Sequence, residues 1–409
     1  MSDSPFSFFA SCAKSLEPLL AEELQQCGAS DVRQTVAGVS FTGTLLEAYR
    51  AVMFSRMASR IILLLHEQLV PDADALYAAA DSIDWTQHMS SRDSFAISAA
   101  GTTHNLRHTQ FIAQRIKDAI VDQFRNSGQD RPDVSKQDPD LRIHAVIKKG
   151  RVSLGVDLVN GSLHRRGYRQ EQGEAPMKET LAAALLIRAD WPTLMHQDNA
   201  IIVDPMCGAG TLLIEAALMA LDVAPGLLRE SQLSAWPHHD QSAAAVVRQE
   251  AEQRKQRGAT WTGQALGSDH DLRSLGMARR NAERAGVWDH VEFSSTALQD
   301  LKLGQAPTLL ITNPPYAERL GDEAQVMALY QALGDVIRRE AMGAEVAVFT
   351  ARPEWGKLIG IHSHKQYALF NGALPAKLLL FRVDDDSVYQ NRKTAVAGSQ
   401  LVTEDALDN

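Results

Sequence analysis

From Ala200 onward the chain repeats one pattern, an apolar strand, a tight loop and a helix, and few folds accommodate that repetition. Strands read at Ile201–Asp204, Gly263–Ser268, Val291–Ser294, Thr308–Thr312 and Glu345–Thr350. Helices read at Thr211–Leu221, Leu272–Arg284 and Gln325–Arg339. Parallel strands need a long crossover, and helices then cover both sheet faces, so the pattern predicts a doubly wound α/β sheet. Gln366–Phe370 and Lys377–Val383, on either side of Asn371-Gly372, read as a terminal antiparallel hairpin. The helical stretch Gln241–Arg257 stands between the first two strands as an insertion without a legible role.

Before residue 160 the rhythm differs. Ser7–Ala10 is strand-like, Lys14–Gln26 has helical apolar spacing, and Val32–Val36 with Val39–Thr42 forms a hairpin about Gly38. A helix over Leu45–Met57 and a strand over Arg60–Leu65 complete the first cycle. A second runs through strand Ser94–Ala99, helix Thr109–Arg125 and strands Leu141–Ile147 and Val152–Val156. That order predicts small α+β units with helices on one side of antiparallel sheets. A basic connector follows, including Leu163-His164-Arg165-Arg166-Gly167-Tyr168-Arg169 and Lys178, and then a helix at Glu179–Ala189.

Charge divides the chain in the same places. The net charge is −9, made of −6 over residues 1–90, +4 over 91–180 and −7 beyond. Only the middle segment would welcome a phosphate backbone, with Arg107, Arg115, Lys117, Arg165, Arg166, Arg169 and Lys178 as candidates, although on charge alone a solvated face with ordinary charge scatter is the favoured reading. Lys148, Lys149 and Arg151 belong to the same segment. No run of eighteen apolar residues is present, and the N-terminus lacks a secretory pattern, so no membrane partner is expected. Cys12, Cys27 and Cys207 suit neither a disulfide framework nor a metal cluster, and a reducing, cytoplasmic setting is expected. His104 and His108 lack a third ligand at a suitable spacing, so no metal is expected. The last 26 residues, with six acids against two bases, read as a flexible tail or linker.

Three constellations carry chemistry. In Asp204-Pro205-Met206-Cys207-Gly208-Ala209-Gly210-Thr211 a strand ends on an acid, turns through glycines and enters a helix. Gly208 and Gly210 let backbone approach a ligand where a side chain would collide. The third glycine of a dinucleotide fingerprint is missing, and so is the Gly-Lys-Ser/Thr of a P-loop, so a neutral or cationic nucleoside fits better than a pyrophosphate. In Gly267-Ser268-Asp269-His270-Asp271 an acid at the end of the second strand can accept both ribose hydroxyls. Asp269 is placed best for this, while Asp271 either shares that role or caps the next helix. In Asn313-Pro314-Pro315-Tyr316 two prolines fix an extended backbone that offers only carbonyl acceptors. The Asn313 side-chain oxygen and the Pro314 carbonyl can hold both hydrogens of an amino group, and Tyr316 offers a face on which a base can stack. Cys207, far from Asn313, reads as a packing residue of the glycine loop.

The order Asp-Pro-x-Cys-Gly-x-Gly-Thr, Gly-Ser-Asp, Asn-Pro-Pro-Tyr resembles the Rossmann-like class I methyltransferases that modify amino groups. Residues 163–169 and Ala175-Pro176-Met177-Lys178-Glu179-Thr180-Leu181-Ala182 are similar to the connector that joins an RNA-binding THUMP domain to such a methyltransferase. The resemblance is nearest to the N-terminal half of the bacterial large-subunit rRNA methyltransferases that form N2-methylguanine, and spans roughly residues 6–383. It implies a ferredoxin-like segment (1–58), a THUMP domain (59–160), the basic connector (161–190), a methyltransferase domain (191–383) and a tail (384–409). It implies S-adenosylmethionine as cofactor, held by Asp204, Pro205, Met206, Cys207, Gly208, Gly210, Thr211 and Asp269, with Asn313, Pro314, Pro315 and Tyr316 catalytic. It implies 23S rRNA or a large-subunit precursor as partner, with guanine-2445 as the target.

Two departures stand out. Ser294-Ser295-Thr296-Ala297 offers no acid for the adenine amino group, and Asp300 is poorly placed to replace one. Such proteins are often fused to a second methyltransferase half making N7-methylguanine, and here that half is either removed or separate. The tetrapeptide itself also serves adenine-N6, cytosine-N4 and glutamine-amide methylation. A non-catalytic RNA-binding assembly factor that retains the fold is the alternative from a different class.

Overall fold

The computed structural model describes residues 5–159, 161–170, 177–229, 236–316 and 323–384. It divides into two units, residues 1–166 with 225–253, and 167–224 with the chain from 254 on.

The first unit contains β1 (Phe6–Ser11), α1 (Glu17–Gln26), β2 (Ser30–Thr35), β3 (Gly38–Gly43), α2 (Leu45–Phe54), β4 (Arg60–Leu69), α3 (Ala73–Asp81), β5 (Ser94–Ala100), α4 (Thr109–Asn126), β6 (Asp133–Val134), β7 (Leu141–Lys148) and β8 (Arg151–Asp157). They build one eight-stranded sheet in the order β2-β3-β1-β4-β8-β7-β5-β6. The pairs are antiparallel except that β5 runs parallel to both β6 and β7. Along β7, buried Leu141, Ile143, Ala145 and Ile147 alternate with more exposed neighbours, the period-two mark of a strand with one face in the core.

Three features depart from the sequence reading. The separate α+β units expected share a single sheet, because β4 pairs with β1 (Phe8↔Leu63) and with β8 (Leu63↔Val156) at once. β4 also runs four residues further than its apolar stretch, since His66, Glu67 and Gln68 pair with β8 beyond a register shift. Helix α3 had no counterpart in the apolar pattern, and it is started by Asp72, whose carboxylate accepts from the Asp74 and Ala75 N–H groups.

The second unit begins with α5 (Glu179–Arg188) and α6 (Trp191–Leu194). It continues with β9 (Ile201–Asp204), α7 (Thr211–Ala220), α8 (Gln241–Gly258, shared between the units), β10 (Gln264–Asp269), α9 (Leu272–Ala285), β11 (Val291–Ser295), β12 (Leu309–Thr312), α10 (Glu323–Glu340), β13 (Glu345–Thr350), β14 (Lys365–Asn371) and β15 (Leu374–Arg382). The sheet order is β11-β10-β9-β12-β13-β15-β14. The first five strands are parallel, and β15 pairs antiparallel with β13 and β14. From β9 the chain winds outward to β10 and β11 and then crosses to β12 on the other side. That reversal opens a crevice at the carboxyl ends of β9 and β12. Helix α7 is buried at every position, in keeping with a sequence that is apolar but for Thr211 and Glu215. Leu310, Val346, Val348 and Phe381 of the sheet cluster with Tyr330, Leu333 and Ile337 of α10.

The insertion divides between the two units. Residues 225–253 pack within the first, so the methyltransferase stretch is not contiguous over 191–383 as expected. Tyr49 Oη hydrogen-bonds His239 Nδ1 (2.9 Å) and accepts from the Asp240 N–H (3.0 Å), and Arg50 pairs with Glu250 (2.9 Å). The tail over 385–409 lies outside the described residues.

Candidate active site

β9 delivers Asp204 into the interior, 2% exposed, where its Oδ1 accepts from the Met206 N–H at 3.1 Å. Burial pushes this carboxyl up to about 7, and nearby Asp269 adds to the rise. The loop then turns through Gly208 (φ 51°) and Gly210 (φ 79°), both in the left-handed region that favours glycine. At Gly210 a Cβ would lie 2.9 Å from the Phe293 ring and 3.1 Å from Ala278. At Gly208 it would meet nothing within 4 Å, so that face of the loop is open.

Three bonds stitch the loop to the end of β10. The Cys207 N–H donates to the Ser268 carbonyl (3.0 Å), the Gly208 N–H to Asp269 Oδ2 (2.9 Å), and Ser268 Oγ to the Pro205 carbonyl (3.4 Å). From α9, buried Asn281 donates its Nδ2 to the Ala209 carbonyl (3.2 Å). Asp269 also accepts from the Asp271 N–H (3.0 Å), so its carboxylate fixes the loop and stands at the strand end. Of the two roles open for Asp271, the structure shows the helix cap. Its carboxylate receives the Arg273 and Ser274 N–H groups and caps α9. Cys207 is buried beside both acids, which with burial hold its thiol well above the ordinary range, as a packing residue requires. Cys12, Cys27 and Cys207 are all free and buried.

β12 adjoins β9 with Leu310 opposite Val203, so Asn313 emerges beside the glycine loop. Pro314 is buried, Pro315 exposed, and Asn313 and Tyr316 are partly buried. The Tyr316 hydroxyl donates to Asn313 Oδ1. Burial, with Tyr330 nearby, holds that hydroxyl far above its ordinary value, so it remains a donor. Asp204, residues 205–211, Asp269 and Asn313–Tyr316 thus gather at the carboxyl ends of three neighbouring strands. Asn281 and Phe293 escaped the sequence reading, because only the folded sheet brings them to the loop. At Gly267 a Cβ would collide with Phe293, Leu213 and Cys207 Sγ.

After β11 the absence of an acid holds among the described residues. Thr296 Oγ1 donates to Ser294 Oγ, and Asp300 is exposed in a short 3-10 turn. No group of three His, Cys, Asp or Glu among the described residues could hold a metal, and no described helix is long and apolar enough to cross a membrane.

The basic candidates fare unequally. Arg166 is fully buried and donates to the Leu163 (2.9 Å) and Arg56 (2.8 Å) carbonyls, so its expected phosphate contact is corrected to a structural role. Arg169, also largely buried, donates to the Met177 carbonyl (2.5 Å) and faces Glu179 at 3.8 Å, and is corrected likewise. Arg115 pairs with Asp74 (2.9 Å) and lies over the Tyr77 ring (4.5 Å), and Lys117 pairs with Asp118 (2.6 Å). Arg107, Arg165 and Lys178 are exposed.

A switch-point crevice carrying this glycine loop, a second-strand acid and Asn-Pro-Pro-Tyr defines a Rossmann-like class I methyltransferase. The chain belongs to the RMKL-like methyltransferase family, whose domain matches residues 166–379. A THUMP domain matches residues 70–157 and an RlmL ferredoxin-like domain residues 7–62. The family expected from the motifs is therefore the one found.

A relative from Marinobacter nauticus (strain ATCC 700491 / DSM 11845 / VT8), "Ribosomal RNA large subunit methyltransferase K/L", is 44% identical over 96% of this chain and 54% of its own length. The chain spans about half the length of the curated relatives it matches. Among solved structures, SMU.472 complexed with SAH is 28% identical with a TM-score of 0.83, covering 94% of this chain and 99% of that one. A Listeria monocytogenes str. 4b F2365 protein described as a predicted N6-adenine-specific DNA methylase is 28% identical with a TM-score of 0.80, covering 93% and 97%.

Proposed function

We propose that this chain transfers the methyl group of S-adenosylmethionine to the exocyclic N2 of a guanine in 23S rRNA, guanine-2445 by the resemblance. The observation that carries the reading is the placement of Asn313 and Pro314 acceptors beside a glycine loop with an open face. The K/L relative supports large-subunit rRNA by its name, and the THUMP match supports an RNA substrate. SMU.472 with SAH supports the cofactor. The remaining half of each relative's length is where a second methyltransferase half would stand, fused or separate. Three buried free thiols suit a reducing, cytoplasmic compartment.

The residues present fit the cofactor. Gly208 leaves room for a nucleoside, Asp269 stands where a ribose diol would be accepted, and buried Asp204 supplies a negative charge for a cationic group. S-adenosylmethionine supplies an already activated methyl group. The chain's own work is to hold the nucleophile in line and exclude water. A guanine N2 is planar because its lone pair is delocalised into the ring. Acceptors at Asn313 Oδ1 and the Pro314 carbonyl favour the pyramidal nitrogen of the transition state over that ground state. No general base is required, since the amino proton acidifies once the methyl has arrived. Exposed Arg107, Arg165 and Lys178 remain as candidate phosphate contacts.

The test is incubation of the protein with labelled S-adenosylmethionine and unmodified 23S rRNA, followed by nucleoside mass spectrometry. N2-methylguanosine is expected. N6-methyladenosine, or RNA without label, would overturn the guanine reading.

A further inference from the structure

Ala209 stands between two glycines, so the sequence of the loop leaves its backbone several conformations. A polar side chain on an apolar surface selects one of them. The buried face of α9 comprises Leu275, Ala278, Asn281, Ala282 and Ala285, and Asn281 alone among them is polar. It is 1% exposed, a costly place for a carboxamide unless both its ends are bonded. Its Nδ2 donates to the Ala209 carbonyl (3.2 Å), and its Oδ1 accepts from Arg284 Nη1 (3.4 Å). The Ala209 carbonyl shares one planar peptide with the Gly210 N–H, which donates to the Cys207 carbonyl (2.8 Å). That plane is therefore held at both ends. Ala278, on the same face of α9, lies 3.1 Å from where a Gly210 Cβ would stand, so helix and loop are in close contact.

We infer that Asn281 is a positioning residue for S-adenosylmethionine binding, fixing the Ala209–Gly210 peptide with its carbonyl turned toward α9. This inference rests on the cofactor reading of the glycine loop and deepens it. A carboxamide has two orientations that exchange oxygen and nitrogen, and only one gives the loop a donor. Arg284 carries donors alone, so it selects the orientation with Oδ1 toward itself and leaves Nδ2 for Ala209. The same Arg284 nitrogen donates to the Tyr168 carbonyl (3.5 Å). Tyr168, 1% exposed, donates its hydroxyl to Glu215 Oε1 (3.2 Å) on α7, the helix that leaves the loop. The connector residue thus braces the pair that sets the loop. Without Asn281 the peptide is free to turn its carbonyl away from α9, because Gly210 tolerates either sign of φ. The cofactor then binds only the fraction of molecules with the loop set, and its apparent affinity falls by that fraction.

The test separates a loop that is set from a fold that is merely stable. Asn281→Asp keeps the outline and replaces the donor by an acceptor, and Asn281→Leu removes both functions. Each is expected to weaken cofactor affinity by calorimetry about tenfold, the contribution of one buried hydrogen bond, and to raise KM for the cofactor equally. At saturating cofactor, kcat and KM for RNA should stay unchanged, because an occupied loop is already set. Arg284→Ala, at a half-buried position, should weaken affinity too, and adding it to Asn281→Leu should cost nothing more. Unchanged affinity in Asn281→Asp, a fall in kcat with affinity intact, or losses that add in the double variant would overturn the inference. Backbone hydrogen exchange without cofactor reads the loop itself. Residues 207–211 should exchange faster in Asn281→Asp while β10 and β11 keep their original rates. A loop that does not change, or a loop and strands that loosen together, overturns the inference. Unsubstituted protein that takes up no S-adenosylmethionine removes the cofactor reading instead, and the exchange rates still decide whether Asn281 sets the loop.

Discussion

Asp204 is a carboxyl taken out of water beside a second acid, and under the proposed cofactor role its proton equilibrium would tie folding to cofactor binding. Its folded value of about 7 stands above the ordinary 3.8. The stability that its neutral form preserves is therefore full below the ordinary value and is lost as pH rises through about 7. A cationic group bound opposite the carboxylate reverses that preference. Cofactor affinity is expected to be roughly tenfold weaker at pH 6 than at pH 8, since an apo value near 7 leaves about a tenth ionised at pH 6. Calorimetry across that range checks it, and a flat profile would remove Asp204 from the cofactor site. The other acceptor, Asn313, is proposed to serve the chemical step. Asn313→Ala should bind cofactor normally yet lose roughly a hundredfold or more in methyl transfer, by analogy with removing one preorganised group of a transition-state cradle. Among the basic residues, exposure decides the phenotype. Arg165→Ala and Lys178→Ala should each flatten the salt dependence of RNA binding by about one phosphate contact. Arg166→Ala should leave that slope alone and lower the melting temperature, because it takes the Arg166 donor from the Arg56 carbonyl and leaves the Leu163 carbonyl with Arg229.

The glycine loop behaves as a short element held from three sides: β9 beneath it, β10 through Ser268 and Asp269, and α9 through Asn281. Gly210→Ala combines a φ of 79° with a collision against Phe293, and should cost about 1–3 kcal/mol of stability by thermal unfolding. The same change at Gly208 meets open space, so its cost should be the smaller one, confined to the backbone conformation. How much of this was legible follows from the range of each interaction. The loop, the acids and the tetrapeptide are local in sequence, and their strands could be read from apolar runs. Asn281 could not be found that way, because it meets Ala209 across 72 residues and lies in a helix with no motif around it. Arg166 and Arg169 misled for the same reason: a cluster of cations carries no mark of whether carbonyls from distant residues will enclose it. His66-Glu67-Gln68 fell outside the apolar strand read over Arg60–Leu65 because β8, which pairs with it, lies some eighty residues away.

At the scale of the molecule, sequence rhythm predicted the class of each unit correctly and the division between units less well. The insertion shows why. α8 buries only Val247 and Ala251, so its apolar pattern is too thin to say which unit it serves. Residues 225–253 meet the first unit through contacts far apart in sequence, Tyr49 with His239, Arg50 with Glu250, and Trp236 stacked on His88. The strand β4 has a further consequence for anyone who would treat the front of this chain as interchangeable parts. It is hydrogen-bonded on one side to the ferredoxin-like half and on the other to the THUMP half. A cut at residue 58 therefore leaves β1 without its neighbour in one piece and bares a ten-residue strand in the other. Fragments divided there should self-associate in size-exclusion chromatography, whereas one carrying residues 1–166 with 225–253 should remain monomeric. Lineages that trade RNA-reading modules by recombination would have to exchange these two together, as one inheritable cassette joined by a common backbone strand.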